Sequence, residues 1–351
     1  MKTLQIVGIG GGTGLPVLLS GLAKEPGVEP SGIVTVADDG GSSGRLRDCL
    51  GLPAVGDLRN CLVALSGNHS ALADLFQHRF SAGDGLEGHA LGNLIVAALY
   101  QRTGSLKEAI EIASGLLPLK GQALPATETL TTLCAAFEDG SVIRGESRIP
   151  EAQQQIRRVW LEPADPPATR GVLETLAAAD AIVLAPGSLY TSLLPNLLVS
   201  GVAEAIRKSR AVKILVCNLL TQPGETTGFS ASDHLRVVQG RLGPEAIDYC
   251  LVNSAIERAR NWSERKPGWE PVVCDSERIL ALGTVPIEAD LVSTRGTRPH
   301  HDSARLGRVV MTVARAGIRH REAALAASAA PSNRTTVSTG VTLCPNQPAI
   351  A

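Results

Sequence analysis

The sequence predicts an α/β protein with a Rossmann-like, doubly wound and mostly parallel sheet that carries a helical insert. Two observations support this fold class. Short apolar segments alternate with helical segments along most of the 351 residues, and this alternation is typical of parallel sheets with helices on both faces. A glycine-rich stretch, VGIGGGTGLP at residues 7–16, also joins the first strand to the first helix, as in folds that hold a nucleotide at the end of a sheet.

The predicted strands are short apolar runs, several of them without polar alternation, as expected of strands buried on both faces. They lie at residues 4–9, 33–37, 142–145, 181–185, 213–217 and 249–252. The predicted helices lie at residues 15–24, 58–66, 90–102, 106–115, 169–178, 193–209 and 233–242.

These elements predict one domain, residues 1–316, that binds a nucleotide-sugar. Residues 67–131 are mostly helical in pattern and interrupt the series of strands, so we interpret them as the helical insert. Residues 317–351 are small, polar and proline-bearing. Such a composition buries little apolar surface, and we predict a disordered tail.

Composition excludes several classes of function. With 33 basic and 34 acidic residues and only 3% aromatic residues, the chain lacks the positive charge and stacking surfaces of a nucleic-acid binder. Its seven cysteines contain no Cys-x-x-Cys pair, which argues against a disulfide framework or a thiolate metal site. The uncharged run 4–23 is broken by glycines and Pro16, so we expect a strand, loop and helix rather than a membrane span.

The glycine-rich stretch is the first candidate binding element. Glycine lets a backbone approach a phosphate closely, and the following helix offers unpaired N–H groups. The stretch matches neither a P-loop nor a regular G-x-G-x-x-G motif, because Thr13 stands where the third glycine would be. A tight turn that serves packing alone is the alternative. The phosphate contacts predicted here are Gly10, Gly11, Gly12, Thr13 and Gly14.

The second strand ends in the sequence ADDGGSSGRLR. A carboxylate at this position, here Asp38 or Asp39, binds ribose hydroxyls in dinucleotide-binding folds, and it could instead hold Mg²⁺ on phosphate oxygens. Residues 40–44 are expected to form a loop that donates N–H and hydroxyl groups to an anion, or a solvated turn. The side chains predicted to bind from this segment are Ser42, Ser43 and Arg45.

Two helical segments add further candidates. Asp57 precedes an apolar helical run and is either a helix N-cap or a ligand-binding residue, and Asn60 lies in the first turn of the same helix. His89 and Asn93 are four residues apart and would share one helix face. Because no set of metal ligands surrounds His89 in the sequence, we expect it to form a hydrogen bond or to have a structural role.

Polar residues also follow two later strands. The first loop contributes Gly187, Ser188, Tyr190 and Thr191, and the second contributes Asn218, Thr221, Gln222 and Glu225. Each loop alone could be structural. The carboxyl ends of parallel strands meet at one edge of a sheet, so together these loops predict a single cleft for a nucleotide-like ligand.

The segments GGGTG, ADDGGSSGRLR, GDLRNCL, GHALGNL, PGSLYTSLLPNLLV and CNLLTQPGETTGFSASDHL resemble the YvcK, or gluconeogenesis factor, family (UPF0052). This family is related to the CofD 2-phospho-L-lactate transferases, and the resemblance covers about residues 3–313. It implies a cytoplasmic protein that binds UDP-sugars, notably UDP-N-acetylglucosamine, and supports cell shape and envelope synthesis during gluconeogenic growth. The implied partners are a UDP-sugar or related nucleotide and envelope-synthesis proteins, with a homo-oligomer left open.

The resemblance implies no established catalysis in this branch, so we expect a regulator with no catalytic residue and no required cofactor. The alternative is a CofD-like transferase, in which Mg²⁺ held by Asp38 and Asp39 supports transfer of a phospho-lactyl group from a nucleotide diphosphate donor. NAD is a third candidate for the cleft. In the C-terminal stretch TRGTRPHHD, which differs from the family pattern, Arg298 or His300 would complete the sugar-nucleotide site.

Overall fold

The computed structural model describes residues 2–67, 70–263, 268–293 and 300–329. Its strands are β1 (Leu4–Gly10), β2 (Val28–Val34), β3 (Gln122–Pro125), β4 (Thr132–Phe137), β5 (Val142–Arg144), β6 (Ile156–Glu162), β7 (Ala181–Leu184), β8 (Val212–Val216), β9 (Tyr249–Asn253) and β10 (Val285–Ala289). Seven of them form a sheet in the order β10-β9-β8-β7-β1-β2-β3, and every neighbouring pair is parallel. The predicted fold class is confirmed.

Successive residues of the central strands point into two separate hydrophobic cores. In β1, Ile6 faces one core, whereas Val7 and Ile9 face the other. In β8, Ile214 and Leu215 divide in the same way. Side chains alternate across a strand, so a sheet whose two faces are both apolar must be covered by helices on both sides.

The helices are α1 (Gly14–Lys24), α2 (Gly41–Leu50), α3 (Gly56–Leu65), α4 (Ala71–Gln77), α5 (Leu91–Thr103), α6 (Leu106–Ser114), α7 (Val172–Ala178), α8 (Leu194–Leu197), α9 (Val202–Lys208), α10 (Ala231–Leu242), α11 (Ile256–Ser263), α12 (Ser276–Ala281) and α13 (Ser303–Ala329). Local sequence sets several of their ends. The Ser230 and Asp233 side chains form a capping box at the start of α10. Among the described residues, no helix combines the length and apolar character needed to cross a bilayer.

Two strand predictions and the bounds of the helical insert are corrected. The strand expected at residues 33–37 is Val28–Val34, so the chain has left the sheet before it reaches Asp38. The strand expected at residues 142–145 is not in the main sheet, because β5 belongs to a small antiparallel sheet of order β5-β4-β6. The helical insert comprises α4, α5 and α6, and it ends earlier than predicted because β3 pairs with β2 in the main sheet.

One helix, one loop and the tail are also corrected. The helix expected at residues 193–209 is divided into a π-helical turn at Leu189–Leu193, α8 and α9, and Gly201 before α9 has a φ of +79° that no continuous helix accommodates. The loop expected at residues 40–44 is the start of α2. The disordered tail predicted from residue 317 is wrong for residues 317–329, because α13 continues to Ala329. Residues 330–351 lie outside the described residues.

Candidate functional site

The order of the sheet reverses beside β1, and the crevice of such sheets opens at that point. The loops that follow β1 and β7 meet there. A Cβ atom added to Gly14 would lie 1.7 Å from the Pro186 carbonyl oxygen, so only glycine permits this contact. Gly12 has a φ of +58°, which also favours glycine. The glycines predicted to approach a ligand therefore first bring the two loops together, and the Thr13 side chain is exposed beside them.

The same loop is tied to α3 by a carboxylate. The backbone N–H of Gly12 donates to Asp57 Oδ2 over 2.5 Å. Burial raises the pKa of Asp57 to about 6, with a further contribution from the negative charge of Asp38, although the Gly12 hydrogen bond opposes the shift. Asp57 is not the N-cap of α3, because Val55 occupies that position. The carboxylate instead stabilises the conformation of the glycine loop.

A ring of hydrogen bonds joins the loops after β7 and β8. The Gly187 N–H donates to Asn218 Oδ1 over 2.8 Å, and Asn218 Nδ2 donates to Gln222 Oε1 over 3.3 Å. Gln222 Nε2 then donates to Ser188 Oγ over 2.9 Å. Four of the predicted residues are thus brought together beside the crevice, where their remaining polar atoms can meet a ligand.

Glu225 lies beneath this ring with only 4% of its surface exposed. It accepts a hydrogen bond from the Tyr190 N–H at 3.3 Å and another from Thr191 Oγ1 at 3.4 Å. Burial raises the pKa of Glu225 to about 7 despite these donors. Burial, together with the charge of Glu225, raises the pKa of the Tyr190 hydroxyl to about 12. The role of Glu225 in the structure is to hold the two loops together.

The small antiparallel sheet supplies an acid that the sequence analysis missed. After β5, a 3₁₀ segment at Glu146–Ala152 brings the Ser147 N–H within 2.9 Å of Asp39 Oδ1. Burial, and then the charge of Asp38, raises the pKa of the Glu146 carboxyl to about 8, while a hydrogen bond with Thr191 opposes the shift. No local pattern marks Glu146 in the sequence, because only the packing of the second sheet brings it to the crevice.

The carboxylate of Asp38 turns back onto its own loop. Its Oδ1 accepts from the Gly40 N–H over 2.9 Å, and burial raises its pKa although Gly40 and Ser43 donate to it. In the described part of the chain, no group of three or more His, Cys, Asp or Glu residues is arranged to hold a metal ion. Mg²⁺ that is bound mainly through ligand phosphates needs only one or two carboxylates, so Asp38 and Asp39 fit that kind of site and not an all-protein cage.

Other predicted residues use their polar side-chain atoms inside the protein. Ser42 Oγ lies 2.9 Å from His89 Nδ1 and accepts from Asn93 Nδ2 over 3.0 Å. Ser43 Oγ accepts from the Gly56 N–H over 3.1 Å. These contacts join α2 to α3 and to the start of α5. They position the walls of the crevice, whether or not the residues also contact a ligand.

Three more predicted side chains point to neighbouring backbone or side chains. Thr221 exchanges hydrogen bonds with the backbone of Glu270, at 2.7 Å and 3.1 Å. Arg45 Nη2 donates to the Glu87 carbonyl over 2.7 Å, and Asn60 Oδ1 accepts from Arg59 Nη2 over 2.5 Å. Arg59 itself was not among the predicted binding residues.

Asn196 is a second residue that the sequence analysis missed. It is fully buried, and its Nδ2 donates to the Gly10 carbonyl over 3.1 Å and to the Ser192 carbonyl over 2.9 Å. Its place in the quoted PGSLYTSLLPNLLV segment was the available signal.

Of the two C-terminal candidates, Arg298 lies outside the described residues, and the His300 carbonyl accepts from the Ser293 N–H over 2.9 Å.

Known proteins resemble this chain over most of its length. The family model for 2-phospho-L-lactate transferase CofD matches residues 6–292. The gluconeogenesis factor of Halalkalibacterium halodurans is 45% identical over 315 residues, covering 89% of this chain and 97% of that protein. The gluconeogenesis factor of Bacillus subtilis is 44% identical over 310 residues, covering 88% and 97%. A crystal structure of a UPF0052 family member from Bacillus halodurans is 44% identical with a TM-score of 0.84, covering 89% of this chain and 99% of that one.

Proposed function

The chain belongs to the CofD family and resembles its gluconeogenesis factors along almost their whole length, and we propose that it binds a UDP-sugar, UDP-N-acetylglucosamine first among them. In this proposal the protein is a regulator in the cytoplasm. Binding of the nucleotide-sugar would link carbon supply during gluconeogenic growth to envelope synthesis and cell shape. The link to gluconeogenesis is supported by the similarity to two gluconeogenesis factors.

One observation supports nucleotide binding above the others. Helix α1 begins beside the reversal in sheet order, and no side chain caps its N-terminus at Thr13. Unpaired N–H groups and the positive end of the helix dipole favour an anion such as a diphosphate. The packing of Gly14 against Pro186 keeps bulky side chains away from this point.

The remaining parts of the ligand find matching chemistry nearby. Asp38 and Asp39 follow β2, where carboxylates bind ribose hydroxyls in related sheets. The ring formed by Gly187, Ser188, Asn218 and Gln222 presents amide and hydroxyl groups that suit a sugar or a uracil. Bound at these three places, one nucleotide-sugar would span the crevice from the end of β2 to the end of β8.

Isothermal titration of the full chain tests this proposal. We expect saturable heat with UDP-N-acetylglucosamine and weaker binding of UDP, GDP and NAD. Asp38→Ala should weaken the binding about tenfold, the value of one hydrogen bond to a charged group, with little change in thermal midpoint. Asp74→Ala, an exposed carboxylate on α4, is the matched control and should bind as the wild type does. Binding of GDP or NAD in place of the UDP-sugar would refute the proposal.

A transferase is the second candidate function, and the grouping of carboxylates supports it. The charges of Asp38 and Asp39 raise the energy of the ionised form of Glu146, and the charge of Asp39 does the same for Asp38. Mg²⁺ that enters with a nucleotide diphosphate would offset that repulsion and stabilise charge on the transferred group. Incubation with Mg²⁺, a lactyl-nucleotide diphosphate donor and a deazaflavin precursor as acceptor is followed by mass spectrometry. A phospho-lactyl acceptor and a released nucleoside monophosphate should appear if this function is correct, and neither should appear if the chain only binds.

A further inference from the structure

Three arginines surround the segment that joins α4 to α5, on the insert side of the crevice. Arg79 Nη1 donates to the Gly88 carbonyl over 2.5 Å, and Arg45 Nη2 donates to the neighbouring Glu87 carbonyl over 2.7 Å. Both side chains are exposed. Arg59 lies behind them in the first turn of α3, with only 4% of its surface exposed. The sequence analysis counted Arg45 among the predicted ligand contacts, but the proposed nucleotide function uses none of these three guanidinium groups.

The position of Arg59 is set by close packing. A Cβ atom on Gly92 would lie 2.9 Å from Arg59 Cγ and Cδ, so the glycine makes room for the arginine stem against α5. The guanidinium end donates through Nη2 to Asn60 Oδ1 over 2.5 Å. The same oxygen accepts from Gln77 at the end of α4 over 3.4 Å, two residues before Arg79. The side chain is thus held in one place beside the α4–α5 segment.

Arg59 is nevertheless only partly satisfied. Its Nε and Nη1 atoms are buried and have no hydrogen-bond partner among the described residues. Burial first, and the charge of Arg79 second, lower the pKa of Arg59 to about 10, while Asp57 opposes the shift. A buried cation with unmade hydrogen bonds destabilises a fold unless another group supplies the missing acceptor.

In the described part of the chain, no carboxylate forms an ion pair with this cluster, although the charge of Asp57 acts on Arg59 from farther away. The ion pairs of the described chain include no carboxylate within 4.0 Å of Arg45, Arg59 or Arg79. Guanidinium groups bind phosphate through paired, parallel hydrogen bonds. Three of them around one segment, with one already desolvated, match the charge of a phosphate group.

We propose that Arg45, Arg59 and Arg79 form an anion site, separate from the nucleotide crevice, that binds the phosphate group of a small molecule. The exposed Arg79 and Arg45 would release their carbonyl contacts and close on the phosphate, and Arg59 would gain the acceptor it lacks. Asp57 lies two residues from Arg59 and holds the Gly12 N–H, so the new site adjoins the glycine loop without sharing its donors.

Isothermal titration with inorganic phosphate at constant ionic strength tests this site. We expect saturable binding to the full chain, weakened about tenfold by Arg79→Gln or Arg45→Gln through loss of one charged hydrogen bond. Arg241→Gln is the matched control, because Arg241 is also an exposed arginine that donates to a backbone carbonyl, that of Leu197, at 3.2 Å. It should bind phosphate as the wild type does. Absence of saturable heat, or equal weakening in the control, would refute the proposal.

Two further arms identify the site and the ligand class. The phosphate titration is repeated with saturating UDP-N-acetylglucosamine, and retained binding would support a separate site, whereas competition would place the phosphate on the glycine loop and overturn the proposal. A citrate titration that gives tighter binding than phosphate would replace a phosphate ligand by a carboxylate. If the UDP-sugar itself fails to bind, the nucleotide proposal fails, and the phosphate titration still decides the arginine site.

Arg59→Lys keeps the charge and loses the paired geometry, so it should weaken phosphate binding. Thermal unfolding of the same variant reports whether it is folded.

Discussion

Asp57 should lower the stability of this protein as the pH rises, and Asp57→Asn should remove that dependence. The carboxylate is buried against the glycine loop, and its pKa is raised from 3.8 to about 6. The ionised form is therefore disfavoured in the folded state. Because the folded pKa lies above the unfolded value, ionisation of Asp57 lowers the free energy of unfolding, and this effect is complete above pH about 6. The destabilisation disappears as the pH falls to about 4.

The size of the effect follows from the shift. One pKa unit corresponds to about 1.4 kcal/mol, so a shift of about two units makes ionisation of Asp57 cost about 3 kcal/mol at neutral pH. An asparagine can still accept the Gly12 hydrogen bond through its carbonyl oxygen. We therefore expect Asp57→Asn to gain stability relative to the wild type as the pH rises from 4 to 7, by as much as about 3 kcal/mol.

Urea unfolding of both proteins at several pH values between about 2.5 and 7.5 measures this difference. Asp233→Asn is the control of opposite sign. Although burial raises the pKa of Asp233, hydrogen bonds from Ser230 and Arg236 outweigh it and leave that pKa lowered. Its replacement should therefore lose stability relative to the wild type as the pH rises through the acid range. Stability curves for Asp57→Asn and wild type that stay parallel over the whole pH range would refute the reasoning for Asp57.

Two other predictions concern the glycine loop and the C-terminal helix. Gly14→Ala should destabilise the protein by more than about 2 kcal/mol or prevent folding, because the added Cβ overlaps a carbonyl group. Its control is Gly240→Ala in α10, where a Cβ meets nothing within 4 Å, and this change should stabilise the helix by about 0.5–1 kcal/mol. Truncation after Gly317 should lower the free energy of unfolding by about 2 kcal/mol, because it removes the charged hydrogen bonds of Arg321. Truncation after Ala329 keeps those bonds, and equal stability of the two truncated chains in urea would contradict this prediction.

The contacts of Arg321 show why the tail boundary could not be predicted. Its Nη1 donates to the Ala211 carbonyl over 2.6 Å, and its Nη2 lies 2.5 Å from Asp248 Oδ2. These partners lie beneath the amino ends of β8 and β9, more than 70 residues away along the chain. Alanine, arginine and glutamate favour a helix here, but a helix in a protein is stable mainly through tertiary packing, and this packing depends on a contact with distant residues.

The central strands were predictable because each is a short apolar run buried on both faces, as β7 and β8 are. Strand β3 was not predictable, because QALP is four residues long, ends in proline and follows a helical segment. Helix α2 was missed for a different reason. Its first residues, GSSG, favour loops, and the helix is held by tertiary contact, since Ser42 Oγ accepts from Asn93 Nδ2 and Ser43 Oγ accepts from the Gly56 N–H.

The candidate site was predictable where one loop carries its own signal. The glycine stretch and the polar residues after β7 and β8 are recognisable from their composition, and the structure brings them to one crevice. The sequence analysis could not anticipate which of them support each other. Asn218 and Gln222 bond to each other and to the neighbouring loop, so their assignment as ligand contacts stays a prediction. Glu146 comes from a different sheet, and no pattern in its own segment points to the crevice.

The acids around the crevice constrain both candidate functions. Asp57, Glu146 and Glu225 all have raised pKa values, and burial is the largest cause for each. Main-chain N–H and hydroxyl donors hold them, and the charge of Arg59 opposes the raised pKa of Asp57. A diphosphate that enters this region brings more negative charge into partly desolvated surroundings. It must therefore be accompanied by protons taken up on these carboxyls or by a divalent cation between the carboxylates and the phosphates. A protein that only binds a UDP-sugar needs nothing beyond the protons, whereas a transferase gains most from the cation, which also stabilises charge as the group moves.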